Sequence, residues 1–224
     1  MQHPILLIDL DNTLYDYERA ALTTRGEVLT ELGQALGAEP ATLHAAWEAA
    51  RRSIATAASG HELRRARFAL LLEPYAARGD AELWAARFTC AFSRAVRWSP
   101  GAQAAFERLA AARCVMVVTE GYDDIAAATL AALGIPTITR LATHGTGTTK
   151  RDGSAFTAAL ASLGAAPKDA LVIGDNYALD VLGSAERGIA SLWLTLGREP
   201  PPDPPRTLRG TARDLAAAAA RLVP

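Results

Sequence analysis

The sequence predicts an α/β chain in which a doubly wound parallel sheet is interrupted, close to its start, by an all-helical insert. Two observations carry this. Short continuous apolar runs such as Ile5–Asp9 and Ala170–Asp175 alternate with stretches of helical period, and such runs suit strands covered on both faces. Between about Glu18 and Val96 the pattern changes to long Ala, Leu and Arg stretches of helical period alone. Strands alternating with helices imply right-handed crossovers, hence a parallel sheet with helices on both sides.

In chain order, the first strand ends at Asp9 and runs into polar Asp11-Asn12-Thr13. The helical stretch is expected to break at Gly33, at Gly37 to Pro40, at Ser59-Gly60 and at Gly79-Asp80. Ser99-Pro100-Gly101 closes the insert, and alternating units resume: helix Ala102–Ala112, strand Cys114–Thr119, helix Asp123–Leu133 and a short strand around Thr137–Leu141. After a Gly- and Thr-rich loop, 145–149, the pattern gives helix Ser154–Leu163, strand Ala170–Asp175, helix Ala178–Arg187 and strand Ser191–Leu196. The proline-rich segment Glu199–Pro205 reads as a surface connection, and Thr211–Leu222 as a last helix capped by Thr211 or Asp214. The expected division is residues 1–16 with 97–224 for the α/β part and 17–96 for the insert.

Composition narrows the partners. A length of 224 residues allows one core domain carrying a smaller insert, and half the residues are hydrophobic, as in a folded globular protein. The formal net charge of -1, without a run of Lys and Arg, argues against nucleic acid and against an anionic membrane surface. No apolar run reaches membrane-spanning length and no leader pattern precedes Pro4, so a cytoplasmic protein is expected. Cys90 and Cys114, in apolar surroundings and without metal-ligand spacing, are expected as buried, reduced thiols.

In an open parallel sheet, ligands bind beyond the carboxyl ends of the strands. The polar residues at those ends are Asp9, Asp11 and Thr13, then Thr119-Glu120-Gly121, then Gly174-Asp175-Asn176 with Asp180 five residues on, while Lys150 lies in the loop before another helix. If these converge, several carboxylates face one ammonium and need a cation, and a small set of hard oxygen ligands suits Mg²⁺, which also bridges substrate phosphate. A carboxylate beside such an ion can attack phosphorus while a second, two residues away, protonates the leaving oxygen; Asp9 and Asp11 have that separation. Thr119, backbone amides near Glu120 and Lys150 would hold the equatorial oxygens.

These segments resemble the four signature motifs of the haloacid dehalogenase superfamily over roughly residues 5–14 and 99–196. The family's DxDxT falls on Asp9, Asp11 and Thr13, its strand-end Ser or Thr on Thr119, its Lys on Lys150 and its GDxxxxD on Gly174, Asp175 and Asp180. The resemblance implies a Rossmann-like core with a helical cap and Mg²⁺ held by Asp9, the backbone carbonyl of Asp11 and Asp175, with Asp180 and Asn176 outside the ion's own ligands. Thr13, Glu120, Gly121 and Lys150 would contact substrate, a small phosphorylated metabolite. Glu120 after Thr119, and Arg151 after Lys150, depart from the family pattern. The implied activity is hydrolysis of a phosphate monoester through an aspartyl-phosphate; a phosphomutase, a 2-haloacid dehalogenase and a non-catalytic phosphate-binding protein are the alternatives, the dehalogenases lacking the second Asp.

Arg51-Arg52 and Arg64-Arg65-Arg67 recur at helical spacing and are read as a solvated face, with reach toward an anionic leaving group as the sharper reading. His3, His44, His61 and His144 show no ligand spacing and are expected at the surface. Tyr15 and Tyr17, just past the first turn, either line a pocket or pack the hinge into the insert.

Overall fold

A computed structural model describes residues 3–75 and 80–223. The expected break at Gly79 lies outside these residues, as do the expected α/β boundaries at 1 and 224. Strands β1 (Ile5–Ile8), β2 (Cys114–Thr119), β3 (Arg140–Ala142), β4 (Ala170–Gly174), β5 (Ala190–Leu194) and β6 (Leu208–Ala212) form a parallel sheet in the order β3-β2-β1-β4-β5-β6. The chain starts in the middle of the sheet and winds outward both ways, so the order reverses between β1 and β4, where a crevice opens at the carboxyl edge.

Pleating explains why the strand sequences are apolar throughout. In β1, Leu6 and Ile8 enter one apolar cluster with Phe106, Leu109 and Leu215, whereas Leu7 enters another with Phe156, Leu160 and Val172. The first cluster lies under α5 (Ala102–Ala112), α6 (Asp123–Ala132) and α9 (Leu215–Leu222), and the second under α7 (Ser154–Ser162). Both faces are thereby covered.

Between β1 and α5 the described residues form four α-helices: α1 (Tyr17–Leu36), α2 (Pro40–Ser53), α3 (Gly60–Leu72) and α4 (Ala81–Ala95). Their starts follow capping chemistry, with Asp16, Ser59 and Asp80 side chains accepting first-turn amides and Pro40 opening α2. They share an apolar cluster of their own, including Leu29, Leu32, Trp47, Phe68 and Phe88, in which Trp47 stacks on Phe88 at 5.1 Å between centroids. The two connections to the sheet run side by side, Ser99 N donating to Leu14 O at 2.9 Å.

Several expectations are corrected. Gly33 does not break α1; it lies inside the last turn, where a Cβ would meet Ala38 O at 2.9 Å, and Gly37 in the left-handed region ends the helix. The short strand lies at Arg140–Ala142, further on than expected, and β5 ends at Leu194, before Leu196 with its positive φ of 47°. Thr211 belongs to β6, an edge strand, and α9 begins after Asp214, whose carboxylate accepts from Ala217 N at 2.9 Å. In place of one helix over 178–187 stands a π-helical turn, Tyr177–Leu182, leading into a single α-turn, α8 (Gly183–Ala185). Cys90 and Cys114 are free and exposed: Cys90 faces outward from α4, and Cys114 opens β2 before its buried stretch. No described helix is long and apolar enough to cross a membrane.

Candidate active site

β1, β2 and β4 end side by side, and each delivers a polar residue to the crevice. Asp9 follows β1 and is fixed by its amide, which donates to Ile173 O at 2.9 Å. The next turn depends on Asn12, held at a φ of 59° with its side-chain oxygen accepting from Tyr17 N at 3.0 Å. Asn tolerates that left-handed conformation better than most residues. The turn places Asp11 beside Tyr15, whose buried hydroxyl donates to Asp11 Oδ1 at 2.6 Å. Thr13 is buried, and its Oγ1 has no partner among the described residues.

Lys150 is 1% exposed, and its ammonium donates to Asp9 Oδ1 and, at 2.7 Å, to Asp180 Oδ1. Burial disfavours its charge, but Asp180 and Asp9 outweigh that and raise its pKa. Asp180 also accepts from Asn176 N at 2.9 Å, so the π-turn aims this carboxylate back at the strand end. The glycines of this region are close-approach residues. A Cβ on Gly174 would lie 2.2 Å from Asp180 Oδ2, and one on Gly183 would lie 1.8 Å from Lys150 O.

Asp175 follows Gly174. Its carbonyl oxygen accepts from Trp193 Nε1 at 2.8 Å and from Arg198 Nη2 at 2.5 Å, and the same guanidinium reaches its Oδ2 at 3.0 Å. Asp9, Asp175 and Asp180 each offer an oxygen, all within 4.8 Å of one another, a grouping that can hold a metal ion. Asp11 is outside that group and directs its carboxyl toward Tyr15 and the cavity.

The charges follow from burial. Desolvation raises the Asp9 pKa to about 8, with Lys150 opposing and Asp180 and Asp11 reinforcing. Burial likewise raises Asp11, opposed by the Tyr15 hydrogen bond, and raises Asp175, opposed by Arg198.

Of the residues singled out in the sequence, Asp9, Lys150, Asp180 and Asn176 form one hydrogen-bonded group with Asp175 beside it, while Asp11, Thr119, Glu120 and Gly121 border a cavity of about 680 Å³ between sheet edge and helical insert. Glu120 has a use unforeseen in the sequence. Its carboxylate turns to the next loop and accepts from Thr149 Oγ1 at 2.5 Å and from Lys150 N at 2.9 Å. Arg151 is exposed and lies away from the cavity lining. Tyr17 and the exposed His144 border the cavity, whereas the buried Tyr15 packs against Phe92. Sequence reasoning missed Trp193 and Arg198; their partner lies 18 and 23 positions away, and no local pattern marks such contacts.

An acid-rich crevice at the reversal point of a doubly wound sheet is the ligand site of many α/β enzymes. More narrowly, the chain belongs to the haloacid dehalogenase-like hydrolase family, whose profile matches residues 4–187. Among curated proteins none matches the sequence significantly. Similar solved structures include a 2-haloacid dehalogenase from Pseudomonas syringae pv. Tomato DC3000, at 23% identity and TM-score 0.75 over 98% of each chain. YfnB from Bacillus subtilis, assigned as a HAD-hydrolase and solved bound to magnesium, shares 19% identity with TM-score 0.71 over 99% of each chain. A HAD phosphatase from Thermococcus onnurineus shares 17% identity with TM-score 0.68 over 99% of this chain and 98% of its own. At such identities the likeness concerns the fold, and it spans phosphatases and dehalogenases alike.

Proposed function

We propose that the chain is a Mg²⁺-dependent phosphatase acting on a small phosphorylated metabolite in the cytoplasm, with residues 1–16 and 97–224 as catalytic core and 17–96 as a cap. The observation that carries this is the second acid, Asp11, which stands apart from the three-carboxylate group, has its pKa raised by burial and borders the cavity. Displacing a halide requires no proton donor at that place; cleaving a phosphate ester does.

The donor set fits a small hard cation. Asp9 and Asp180 share one buried ammonium while Asp175 pairs with Arg198, and with Asp11 close by the negative charge left over in a low-dielectric crevice calls for a divalent partner with oxygen preference. Asp9, Asp175 and the Asp11 backbone carbonyl would hold it, with Asp180 and Asn176 behind them. When bound, Mg²⁺ would neutralise phosphate charge and keep Asp9 ionised.

An Asp9 carboxylate oxygen would then attack phosphorus, and the bond to the ester oxygen would break as that oxygen takes the Asp11 proton. In the second half, Asp11 as carboxylate would remove a proton from water, whose oxygen attacks phosphorus and releases phosphate and the Asp9 carboxylate. Lys150, kept cationic by two carboxylates, would hold Asp9 in line and offset charge on the transferring group, together with the Thr119 hydroxyl and the amides near Glu120 and Gly121.

The test is phosphate release from p-nitrophenyl phosphate and a set of metabolite monoesters. Activity that requires both Mg²⁺ and Asp9, and is lost in Asp9→Asn and in chelator, is expected. Halide release from 2-haloacids without ester hydrolysis would overturn the reading.

A further inference from the structure

The cavity above the crevice is unevenly charged, and its basic side comes from the insert. Arg25 of α1, Arg51 of α2, and Arg64 and Arg67 of α3 all border it. Three of the arginines expected at a solvated face or at an anion therefore line the cavity, while Arg52 and Arg65 are exposed.

Their partners separate them into two kinds. Arg25 and Arg51 share one carboxylate, Glu48, at 2.5 Å and 3.3 Å. Arg64 and Arg67 have no carboxylate within salt-bridge reach among the described residues. Arg67 donates from Nε and Nη2 to Ile54 O at 3.1 Å and 2.9 Å. Arg64 is 8% exposed, donates to Thr89 Oγ1 at 2.7 Å, and lies over the rings of Phe88 and Phe92 at 5.4 Å and 5.6 Å. A guanidinium this deeply buried beside a cavity normally has an anionic partner, because ring faces and one hydroxyl repay little of the lost hydration.

The acid that acts most on Arg64 is Asp124, whose carboxylate is already engaged by Gly60 N at 3.0 Å and His61 N at 2.8 Å, and the cavity's own acids do not serve. Glu120 is engaged by Thr149 and Lys150, Asp16 caps α1, and Glu18 is exposed. The same cavity is lined by the motif edge, Asp11, Thr119 and Gly121, and by the apolar side chains of Leu10, Trp47 and Leu63.

We infer that Arg64 and Arg67 form a second anion site, and that the substrate is a small phosphate monoester whose leaving group carries a further carboxylate or phosphate across a short apolar spacer. This rests on the phosphatase reading for the first anion. Guanidinium forks suit either second group, since both present paired oxygens.

The test is calorimetric binding, with Mg²⁺ present, of three ligands that are not hydrolysed: propylphosphonate, 3-phosphonopropionate and 1,3-propanediylbisphosphonate. At least one diacid should bind the native protein about tenfold or more tighter than propylphosphonate, the worth of one charge-assisted hydrogen bond. In Arg64→Met and Arg67→Gln, each first shown to be folded by its melting transition, that preference should fall below about threefold. The diacid favoured distinguishes carboxylate from phosphate. Equal binding of all three ligands, absence of diacid binding, or a preference kept in both variants overturns the inference. Hydrolysis of p-nitrophenyl phosphate and the metabolite monoesters by the native protein is measured alongside: turnover with no diacid preference sinks this inference alone, whereas diacid preference without turnover of any of these esters sinks the phosphatase reading and leaves only the second anion site standing.

Discussion

Replacing Lys150 with Met removes the one ammonium that two buried carboxylates share. Met has similar bulk, so the change isolates charge. Breaking a buried pair from one side costs about 3–5 kcal/mol, because the remaining charge stays desolvated. Here both Asp9 and Asp180 are left, which places the loss toward the upper end. For a chain of this length such a loss lowers the melting temperature by roughly 6–20 °C. The sign of the pH dependence follows from proton counts. Without the ammonium, burial raises the folded pKa values of both acids above the unfolded range, so the folded variant binds more protons and its stability rises as pH falls. In the native protein the Asp9 pKa is raised to about 8, so metal-free stability also falls as pH climbs toward that value, but less steeply. Urea unfolding of native and variant protein in chelator, at several pH values between the ordinary carboxylate range and mildly alkaline, measures both slopes. A difference below about 1 kcal/mol at the alkaline end, the size of an exposed ion pair, would falsify the buried three-charge arrangement.

Asp11→Asn should lower turnover of an alkyl phosphate by about 10²- to 10⁴-fold. The same change should cost p-nitrophenyl phosphate much less, since nitrophenolate leaves without a proton; equal losses on both esters would count against Asp11 as the acid. Tyr15→Phe removes the 2.6 Å hydrogen bond that favours the Asp11 carboxylate, so the alkaline limb that Asp11 sets as proton donor, in the profile for alkyl phosphate cleavage, should move to higher pH. An unmoved limb would show that Tyr15 does not act through Asp11. Gly174→Ala would press a Cβ against Asp180 and should destabilise the protein by about 1–3 kcal/mol in urea unfolding, comparable to core overpacking. Asp124 accepts from Gly60 N at 3.0 Å and His61 N at 2.8 Å, so a residue of α6 helps cap α3; Asp124→Ala should cost about 1 kcal/mol in the same assay. That variant should also raise KM more than it lowers kcat, and unchanged KM would refute a link between this contact and substrate binding.

The site residues were legible where chemistry and position coincide within a few residues. Asp9, Asp11 and Thr13 lie on one turn after a strand that any apolar-run reading finds, and Asp175 with Asp180 follow another. What was not legible depends on partners far away in sequence. β6 carries Arg, Gly and Thr at an exposed sheet edge, so its residues show no apolar run and are absorbed into the helix that follows. The π-turn arises because Asp180 must reach Lys150, thirty positions earlier, and no spacing rule contains that demand. Cys90 and Cys114 were misjudged because apolar neighbours in sequence do not specify which side of a helix or which end of a strand is covered.

The arginines show the same limit and give it a functional meaning. By helical period Arg64 and Arg65 are equivalent members of a basic run, yet one is buried over two phenylalanine rings and the other pairs with Glu62 in solvent. The distinction is made by α4, which supplies Phe88, Phe92 and Thr89 from its inner face. A guanidinium without a salt-bridge partner among the described residues lines the same cavity as an acid-rich sheet edge, and the two charge excesses have opposite sign and different owners, one in the insert and one in the sheet. A ligand with a single anion can satisfy only the sheet side once a cation is bound. A ligand with two anions compensates both. On this argument the charge of the leaving group, beyond its shape, selects the substrate, and the selection is exerted from the insert.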